Sequence, residues 1–376
     1  MQRVAFLLAV ALAVAVAAAS ALAAAPPPAV QAEAYYVQNT ATGEVLAQHR
    51  ERERLPIASI TKLMTALVAL ERAELDELVT VNRRAAAVGE SSIHLEAGER
   101  IPVRDLLTAA LVQSANDAAN ALAAHVGRGS VPRFVALMNA KARRLGLTDT
   151  HFVNPDGLDA PGHVSSARDV TKLARVAMRH PFVRETVRIV EGTAGGRRIT
   201  TWNDLLSTFP RLLGVKTGHT NAAGWSQVAA ARGDGVTIYA TLLGGRTRDG
   251  RNADLAALLS WGLSRYRASW SIASGSVYAT AATAYGRPRV RLVAAKPALR
   301  VVHVERTLLE RVVAPIEVAL PVRKGQRLGE VQVLDGATVV ASSPLVAAES
   351  IARPGRADRV RFYAGRTVHH LWEALN

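Results

Sequence analysis

Ser59-Ile60-Thr61-Lys62 opens a segment, residues 59–73, that is rich in apolar residues and contains no glycine or proline. This composition predicts a largely buried helix, in which side chains three positions apart share one face, so Ser59 and Lys62 are expected to be neighbours. A serine hydroxyl is a poor nucleophile unless a nearby base takes its proton, and a lysine serves as that base only when its amine is neutral. The segment therefore predicts a nucleophile at Ser59, a base at Lys62, and an oxyanion donor in the backbone N–H of Ser59.

A second motif, Ser114-Ala115-Asn116, lies between the apolar runs 106–112 and 118–126. Polar residues between two apolar runs also fit a simple helix break, in which Asn116 or Asp117 caps the following helix. Taken alone, the motif does not decide between a functional and a structural role. Its place in an ordered set of three motifs is what favours an active site.

The third motif, Lys216-Thr217-Gly218, precedes two predicted strands, residues 224–231 and 236–243, that are joined by a glycine-containing turn. This pattern is typical of an antiparallel hairpin. A lysine on such a strand, next to a nucleophile on a helix, is well placed to bind a carboxylate together with Thr217. The charge of this lysine, burial and the helix dipole are all expected to lower the pKa of Lys62.

Together the three motifs resemble the set that marks penicillin-binding proteins and class A β-lactamases. The region from residue 34 to residue 267 is similar, in particular, to the D-alanyl-D-alanine carboxypeptidases of low molecular mass, the penicillin-binding peptidases of bacterial cell-wall maturation. Further segments that resemble the family's pattern are Phe152–Leu158, Ser165–Asp169, Lys216–Thr220 with Ala223-Gly224-Trp225, and Gly244–Thr247 with Gly250-Arg251. The resemblance implies an α+β fold, with a β-lactamase/transpeptidase-like catalytic domain in which helices pack on an antiparallel sheet.

The resemblance also implies roles for individual residues. Ser59 resembles the acyl-accepting nucleophile, Lys62 its general base, and Ser114 the group that passes a proton to the leaving D-alanine. The implied substrate-binding groups are Asn116 for the substrate amide, Lys216 and Thr217 for the terminal carboxylate, the backbone N–H of His219 for the oxyanion, and Arg251 for a second carboxylate contact. Some relatives carry an arginine before Leu205-Leu206, where this chain has Trp202-Asn203-Asp204, so the substrate preference of that loop stays open.

The activity implied by the resemblance is that of a serine-type D-Ala-D-Ala carboxypeptidase, which removes the terminal D-alanine from the peptidoglycan stem pentapeptide and is acylated by β-lactams. Two alternatives stay open: a β-lactamase with the same acylation machinery, and a catalytically inactive wall-binding scaffold. A class A β-lactamase adds a deacylating glutamate in a Glu-x-x-Leu-Asn setting, and the glutamates between Ser114 and Lys216, Glu185 and Glu191, have no such setting. No cofactor or metal is expected, since the chain has no cysteine and its histidines lack metal-ligand spacing.

Residues 1–25 have the features of a secretory signal peptide. Met1-Gln2-Arg3 carries one positive charge, residues 4–19 form an unbroken apolar run, and Ala21-Leu22-Ala23 offers a cleavage site before a proline-rich linker. An uncleaved membrane anchor is the alternative. The chain is therefore predicted to be exported, and without cysteine its core relies on packing and not on disulfides.

The remaining chain, about 350 residues, is long enough for two domains. A catalytic domain is predicted at residues 34–268, with a helix at 254–267 near its end and a serine-bearing connector at 269–275. From residue 276 the pattern changes to short β-rich runs separated by turns, which predicts a small all-β domain at residues 276–355.

The C-terminal residues 358–376 predict an amphipathic helix. Its apolar stripe is formed by Ala364, Val368, Leu371, Trp372 and Leu375. With nearby arginines, the stripe fits an interfacial membrane helix, and the alternative is a helix docked on the β-rich domain. Relatives attach to the inner membrane through such a tail, so the resemblance favours a peripheral protein on the periplasmic face of the inner membrane. The formal net charge of +15 fits anionic lipid and peptidoglycan carboxylates as partners, and no nucleic-acid motif is present.

Overall fold

The computed structural model describes residues 10–16 and 26–364. These residues divide into two compact units, which we call the mixed unit (residues 26–265) and the β unit (residues 10–16 and 266–364). The mixed unit combines helices with antiparallel strands, whereas the β unit is built from strands and has helical residues at 356–364. The first strand among the described residues, β1 (Val10–Val16), belongs to the β unit. The combination confirms the predicted α+β fold class.

The mixed unit is organised around one antiparallel sheet. The strands of the mixed unit are β2 (Ala34–Asn39), β3 (Val45–His49), β4 (Leu78–Thr80), β5 (Arg100–Pro102), β6 (Glu191–Ala194), β7 (Arg197–Thr200), β8 (Leu212–Thr220), β9 (Gly224–Gly233) and β10 (Val236–Gly245). The sheet has five strands in the order β3-β2-β10-β9-β8, and β4–β5 and β6–β7 form two-stranded ribbons. The predicted hairpin is confirmed: β9 and β10 are joined through Asp234 and Gly235, whose φ angles of 48° and 80° suit a tight primed turn. The third motif lies on β8, at the edge of the sheet.

Helices cover both faces of this sheet. They are α1 (Lys62–Leu70), α2 (Arg83–Ala86), α3 (Val103–Leu111), α4 (Asn116–Val126), α5 (Val131–Arg144), α6 (Ala167–Ala177), α7 (Pro181–Thr186), α8 (Leu205–Thr208) and α9 (Arg248–Ser264). On α6, the Thr171 hydroxyl lies 2.6 Å from that of Thr241 on β10, and on α9 Gly262 packs against Ile238 of the same strand. Strand positions 238 and 241 face opposite sides, so α6 and α9 lie on opposite faces of the sheet. Buried side chains of α1, α3, α4 and α5 join α6 in the main core.

The helix predicted at residues 59–73 differs from the structure at both ends. Ala58–Thr61 forms a 3₁₀ turn, and α1 begins at Lys62 and ends at Leu70. Ala58 has a φ of 47°, a left-handed conformation that an α-helix does not accommodate. Ser59 therefore lies in the 3₁₀ turn, and Lys62 follows it by one turn as the first residue of α1.

The alternative interpretation of the second motif, a side-chain cap on α4, is wrong. The N-cap residue is Ala115, and no side-chain capping hydrogen bond is formed there. Asp117 lies inside the first turn of α4, where its carboxylate accepts the N–H groups of Ala118, Ile93 and Leu95. It therefore holds the loop before β5 against the helix.

The β unit contains a seven-stranded sheet. Besides β1, the strands of the β unit are β11 (Tyr266–Ile272), β12 (Val277–Thr283), β13 (Val290–Ala294), β14 (Ala298–His303), β15 (Leu308–Pro315), β16 (Glu317–Val318), β17 (Arg327–Asp335) and β18 (Thr338–Ala347). The sheet order is β1-β15-β17-β18-β13-β12-β16, and β11 pairs with β14. Valine, leucine and alanine side chains form its separate core.

The connector predicted at residues 269–275 lies largely within a strand. β11 pairs antiparallel with β14, from Tyr266 opposite His303 to Ile272 opposite Ala298. The apolar residues at positions 266, 268, 270 and 272 alternate as in a strand, but the serines between them favoured a loop. The C-terminal segment of the β unit therefore starts at residue 266, directly after α9, whereas the β-rich pattern in the sequence started at residue 276.

Two predictions concern the ends of the chain. Of the predicted signal peptide, the structure describes residues 10–16, which form β1 and pair with β15. Of the predicted tail helix, residues 358–364 are helical, whereas the stripe positions 368, 371, 372 and 375 lie outside the described residues. Within the described ranges, no helix has the length and apolar character needed to cross a membrane. The signal peptide and the membrane helix therefore stay predictions.

Candidate active site

The side chain of Lys62 lies at the centre of the site and is completely buried. Its Nζ is 2.7 Å from Ser59 Oγ and also donates to Asn116 Oδ1 and to the backbone oxygen of Asp156, both at 2.7 Å. Three acceptors thus hold the amine in one place, and the Ser59 hydroxyl is one of them. The structure brings together the nucleophile and base predicted from the first motif.

Burial lowers the pKa of Lys62 from 10.5 to about 8, although the Asp156, Glu90 and Asp117 carboxylates act in the opposite direction. An ammonium loses its hydration when it is buried, so burial favours the neutral amine. With a pKa of about 8, roughly a tenth of the Lys62 side chains are neutral at pH 7. Lys62 can therefore accept a proton near neutral pH.

The second and third motifs meet at the hydroxyl of Ser114. This residue lies between α3 and α4 with a φ of 65°, and Lys216 Nζ donates to its Oγ at 3.0 Å and to the backbone oxygen of Thr217 at 3.1 Å. Burial, followed by the charges of Lys62 and Arg251, lowers the pKa of Lys216 well below its ordinary value. The two lysines thus have different hydroxyl partners, Ser59 for one and Ser114 for the other.

A cavity of about 270 Å³ lies in front of these side chains. The predicted site residues that line it are Ser59, Ser114, Asn116, Thr217, His219 and Arg251, and the other lining residues are Glu90, Ser91, Gly157, Leu158, Trp202, Gly218, Thr220 and Trp225. Lys62 and Lys216 are not lining residues, because each is buried behind the serine that it contacts. Arg251 is the lining residue whose guanidinium could bind a carboxylate in this cavity.

Arg251 is 2% exposed and is held from several sides. Its Nε and Nη2 donate to Asn252 Oδ1 at 3.1 and 2.6 Å, and its Nη2 lies 3.5 Å from Asp204 Oδ2. The guanidinium also lies 5.6 Å from the ring centre of Trp225. Burial lowers the pKa of Arg251 to about 10, which leaves it cationic at neutral pH. A fixed guanidinium of this kind matches the planar geometry of a carboxylate.

Two glycines allow close backbone packing around Ser59. A Cβ on Gly157 would lie 1.9 Å from the Ala58 oxygen and 2.9 Å from the Ser59 nitrogen. A Cβ on Gly218 would lie 3.2 Å from the same nitrogen. The backbone of β8 therefore runs beside the Ser59 N–H, and the N–H of His219 follows directly after Gly218. An oxyanion site needs two such backbone donors on neighbouring segments.

His163 supports the Ser59 turn from behind. Its Nδ1 accepts the N–H of Val153 at 3.2 Å, so its Nε2 carries the proton and donates to Thr61 Oγ1 at 2.7 Å. Burial lowers the pKa of His163 from 6.5 to about 4. The ring is therefore neutral at physiological pH, and its two hydrogen bonds connect the Ser59 turn to the segment at Val153; we call it the His163 strut.

The family model described as D-alanyl-D-alanine carboxypeptidase matches residues 20–247 of the chain. The chain belongs to this family. A relative, the D-alanyl-D-alanine carboxypeptidase DacD of Salmonella typhimurium, is 32% identical over 362 residues, which cover 90% of this chain and 90% of the relative. The carboxypeptidase DacA of Escherichia coli is 32% identical over 361 residues, which cover 91% of this chain and 89% of the relative. Penicillin-binding protein 5 of Haemophilus influenzae superposes with a TM-score of 0.64 at 26% identity, over 88% of this chain and 100% of that one.

Several groups of this carboxypeptidase site lie outside the three motifs. Asp156 belongs to an Asn-Pro-Asp-Gly turn, a sequence that predicts a turn but not the contact of its carbonyl with Lys62. Glu90 lines the cavity with a φ of 63°. Trp202 donates from its indole nitrogen to the Gln113 oxygen at 3.0 Å and lies beneath Arg248. The departure from relatives at positions 202–204 was the one signal for this part of the site.

Proposed function

We infer that this chain is a serine-type D-Ala-D-Ala carboxypeptidase that removes the terminal D-alanine from peptidoglycan stem peptides. The observation that carries the inference is the 2.7 Å contact between Ser59 Oγ and the buried amine of Lys62. Membership of the carboxypeptidase family supplies the substrate class.

Acylation begins with transfer of the Ser59 proton to the neutral amine of Lys62, while Ser59 Oγ attacks the carbonyl carbon of the penultimate D-alanine. The negative charge that develops on the carbonyl oxygen is stabilised by the backbone N–H groups of Ser59 and His219. Asn116, which already accepts from Lys62 and donates from its Nδ2 to the Gly89 oxygen at 3.1 Å, orients the peptide amide. These groups are fixed before substrate arrives, so little reorganisation accompanies the reaction.

Departure of D-alanine requires a proton on its nitrogen. Ser114 passes its hydroxyl proton to this nitrogen and takes a replacement from the Lys62 ammonium, so the proton removed from Ser59 ends on D-alanine and Lys62 is neutral again. Lys216, which donates to Ser114 Oγ, stabilises this oxygen while its proton is exchanged. The terminal carboxylate binds Thr217 and Arg251, the hydroxyl and guanidinium that line the cavity. Lys216 contributes a second positive charge from behind Ser114. Water then hydrolyses the acyl-Ser59 intermediate, and a β-lactam acylates the same hydroxyl.

The test measures D-alanine release from a synthetic pentapeptide together with the intact mass after exposure to penicillin. The unchanged protein is expected to release D-alanine and to gain one penicillin adduct. Ser59→Ala is expected to lose both activities, because the nucleophilic oxygen is absent. Ser207→Ala, at an exposed position of helix α8, serves as the matched control. A stoichiometric adduct on Ser59→Ala would place the nucleophile elsewhere.

The two alternatives predict different outcomes of the same experiment. A β-lactamase would release the penicillin adduct rapidly, but Glu185 on α7 and Glu191 on β6 are not lining residues of the cavity. A catalytically inactive scaffold would bind peptidoglycan without forming an adduct. The family match favours the carboxypeptidase over both alternatives, and the Ser59–Lys62 contact argues against an inactive scaffold.

We also propose that the protein is exported and attaches to the periplasmic face of the inner membrane through residues 358–376. The support is the signal-like sequence of residues 1–25, the apolar stripe of the tail and the net charge of +15. Deleting residues 358–376 is expected to release the protein from anionic vesicles and to leave peptide turnover intact, since the site lies before residue 268. Binding of the full protein should weaken as salt rises. Equal binding to neutral and anionic vesicles would contradict the proposal.

A further inference from the structure

Asp156 lies in the loop between α5 and α6, behind Lys62, and is 4% exposed. Its Oδ2 accepts a hydrogen bond from Asn120 Nδ2 at 2.5 Å, and its Oδ1 accepts the N–H of Leu158 at 3.0 Å. One oxygen is thus held by α4 and the other by the loop itself. The backbone oxygen of the same residue accepts the hydrogen bond from Lys62 Nζ at 2.7 Å. Asp156 therefore meets Lys62 through its backbone while its side chain is fixed on both oxygens.

The charged and titratable groups around Lys62 come from several elements. They are Asp156, Glu90, Asp117, Lys216 and His163. The three carboxylates favour the ammonium form of Lys62, and Asp156 has the largest effect of the three. Lys216 acts in the opposite sense, because its own ammonium and that of Lys62 repel each other.

This balance matters at the moment of proton transfer. When Lys62 accepts the Ser59 proton, a positive charge forms in a buried site that already contains Lys216. A buried charge without a counter-charge is strongly unfavourable. Glu90 is exposed to water, and Asp156, unlike Asp117, also contacts Lys62 Nζ directly through its backbone oxygen. Asp156 is the carboxylate best placed to offset the new charge.

We propose that Asp156 is a positioning residue of acylation, whose backbone oxygen holds Lys62 against Ser59 and whose carboxylate stabilises the ammonium that Lys62 becomes. This inference rests on the proposed function, because it requires Lys62 to act as the base. Asp156 is not a lining residue of the cavity, so it acts through Lys62 and not on the substrate. It follows that Asp156 sets the lower pH limit of acylation.

The test compares the pH dependence of kcat/KM for the unchanged protein and Asp156→Asn, which keeps the shape of the side chain and removes its charge. A peptide with both amines acetylated avoids titration of the substrate. In the unchanged protein, kcat/KM should fall at acidic pH as Lys62 becomes protonated, and we call this part of the pH profile the acid limb. In Asp156→Asn this limb should move to lower pH by about one unit, and the plateau should fall about tenfold, because the ammonium formed in the reaction loses its counter-charge.

Further variants separate charge from structure. Asp169→Asn removes a buried carboxylate that accepts from the Asp149 N–H and the Thr150 hydroxyl, both at 2.8 Å, and its acid limb should stay in place. Asn120→Ala keeps the charge of Asp156 and removes one of its hydrogen bonds, so the plateau should fall without movement of the limb. Asp156→Ser, a smaller neutral side chain, replaces the asparagine variant where that variant does not fold, as judged by its Tm.

The outcomes distinguish the proposal from the function on which it rests. An acid limb that stays in place in the charge-free variants, with only a lower plateau, would mean that Asp156 is merely structural and would overturn the proposal. A flat pH profile in the unchanged protein would instead contradict Lys62 as the base. Restoration of the limb by Asp156→Glu, together with a shift in Asp156→Asn, would support the proposal.

Discussion

The close approach of Gly157 to the nucleophile turn makes a sharp prediction for Gly157→Ala. Gly157 has a φ of 91°, and an added Cβ would lie 1.9 Å from the Ala58 oxygen, 2.3 Å from the Ala58 carbon and 2.9 Å from the Ser59 nitrogen. All three atoms belong to the backbone, so no side chain can rotate away. Real Cβ contacts are essentially never shorter than 3.0 Å, which means that the Ala58–Ser59 peptide must move by at least about 1 Å.

Such a movement should affect activity more than stability. The left-handed backbone adds about 1–2 kcal/mol to the cost of any alanine at this φ. Displacing a reacting group by about 1 Å costs about 100-fold in rate. We therefore expect Gly157→Ala to lower the rate constant of penicillin acylation about 100-fold, because Ser59 Oγ leaves Lys62 Nζ and the Ser59 N–H leaves the oxyanion site. The rate is measured by intact mass over time.

The matched control is Gly98→Ala. Gly98 has a φ of 89°, almost the same as that of Gly157, but a Cβ there would meet nothing within 4 Å. This variant therefore has the same backbone cost without the collision, and should lose stability but keep its acylation rate. Equal acylation rates in folded Gly157→Ala and Gly98→Ala would refute the argument that the glycine holds the nucleophile in place.

Three further predictions concern buried charged or titratable groups. Lys62→Arg should lower the rate of penicillin acylation by about 10²–10⁴-fold, because arginine stays protonated. Lys216→Arg should retain more of this activity. Faster penicillin labelling of Lys62→Arg than of Lys216→Arg would contradict the assignment of Lys62 as the base. Arg251→Gln should lower kcat/KM about 10–100-fold for a peptide with a free terminal carboxylate, and far less for the same peptide with a terminal amide. Asp204→Asn should have a smaller effect in the same direction. Equal losses of kcat/KM for the two peptides would exclude carboxylate binding by Arg251. The folded pKa of His163, about 4, lies below its unfolded value of 6.5, so its contribution to the free energy of unfolding is complete above pH 6.5 and is lost as pH falls toward 4, by up to about 3 kcal/mol. Urea unfolding of His163→Gln should show a smaller loss over this range, and an unchanged slope would count against the strut.

The sequence predicted those parts of the site that follow from local spacing. Ser59 and Lys62 are three positions apart, so either a 3₁₀ or an α-helical turn brings them together, and the error in the helix start did not affect the contact. The resemblance placed Ser114 and Lys216 in one active site, but the hydrogen bond between them was not predicted. It has no local signal, since it joins a loop between helices to an edge strand.

Contacts made by the backbone could not be predicted in this way. Lys62 donates to the oxygen of Asp156, and every residue has such an oxygen, so no residue type marks the contact. The same holds for Gly157, whose sequence predicts a turn but not the segment that packs against it. The sequence marks Asp204 only as a departure from relatives, and its contacts with Arg248 and Arg251 depend on where α8 and α9 begin.

The arrangement of the two lysines explains why the site needs so many groups that the motifs omit. Lys62 must be neutral to accept the Ser59 proton, yet Lys216 must be close enough to polarise Ser114. Burial lowers both pKa values, and this provides the neutral amine that Lys62 needs. Burial also makes the protonated Lys62 unfavourable at the moment of acylation, and the carboxylate of Asp156, held by Asn120, offsets part of this cost. The motifs therefore provide the reacting groups, and the loop between α5 and α6 sets the pH range in which they react.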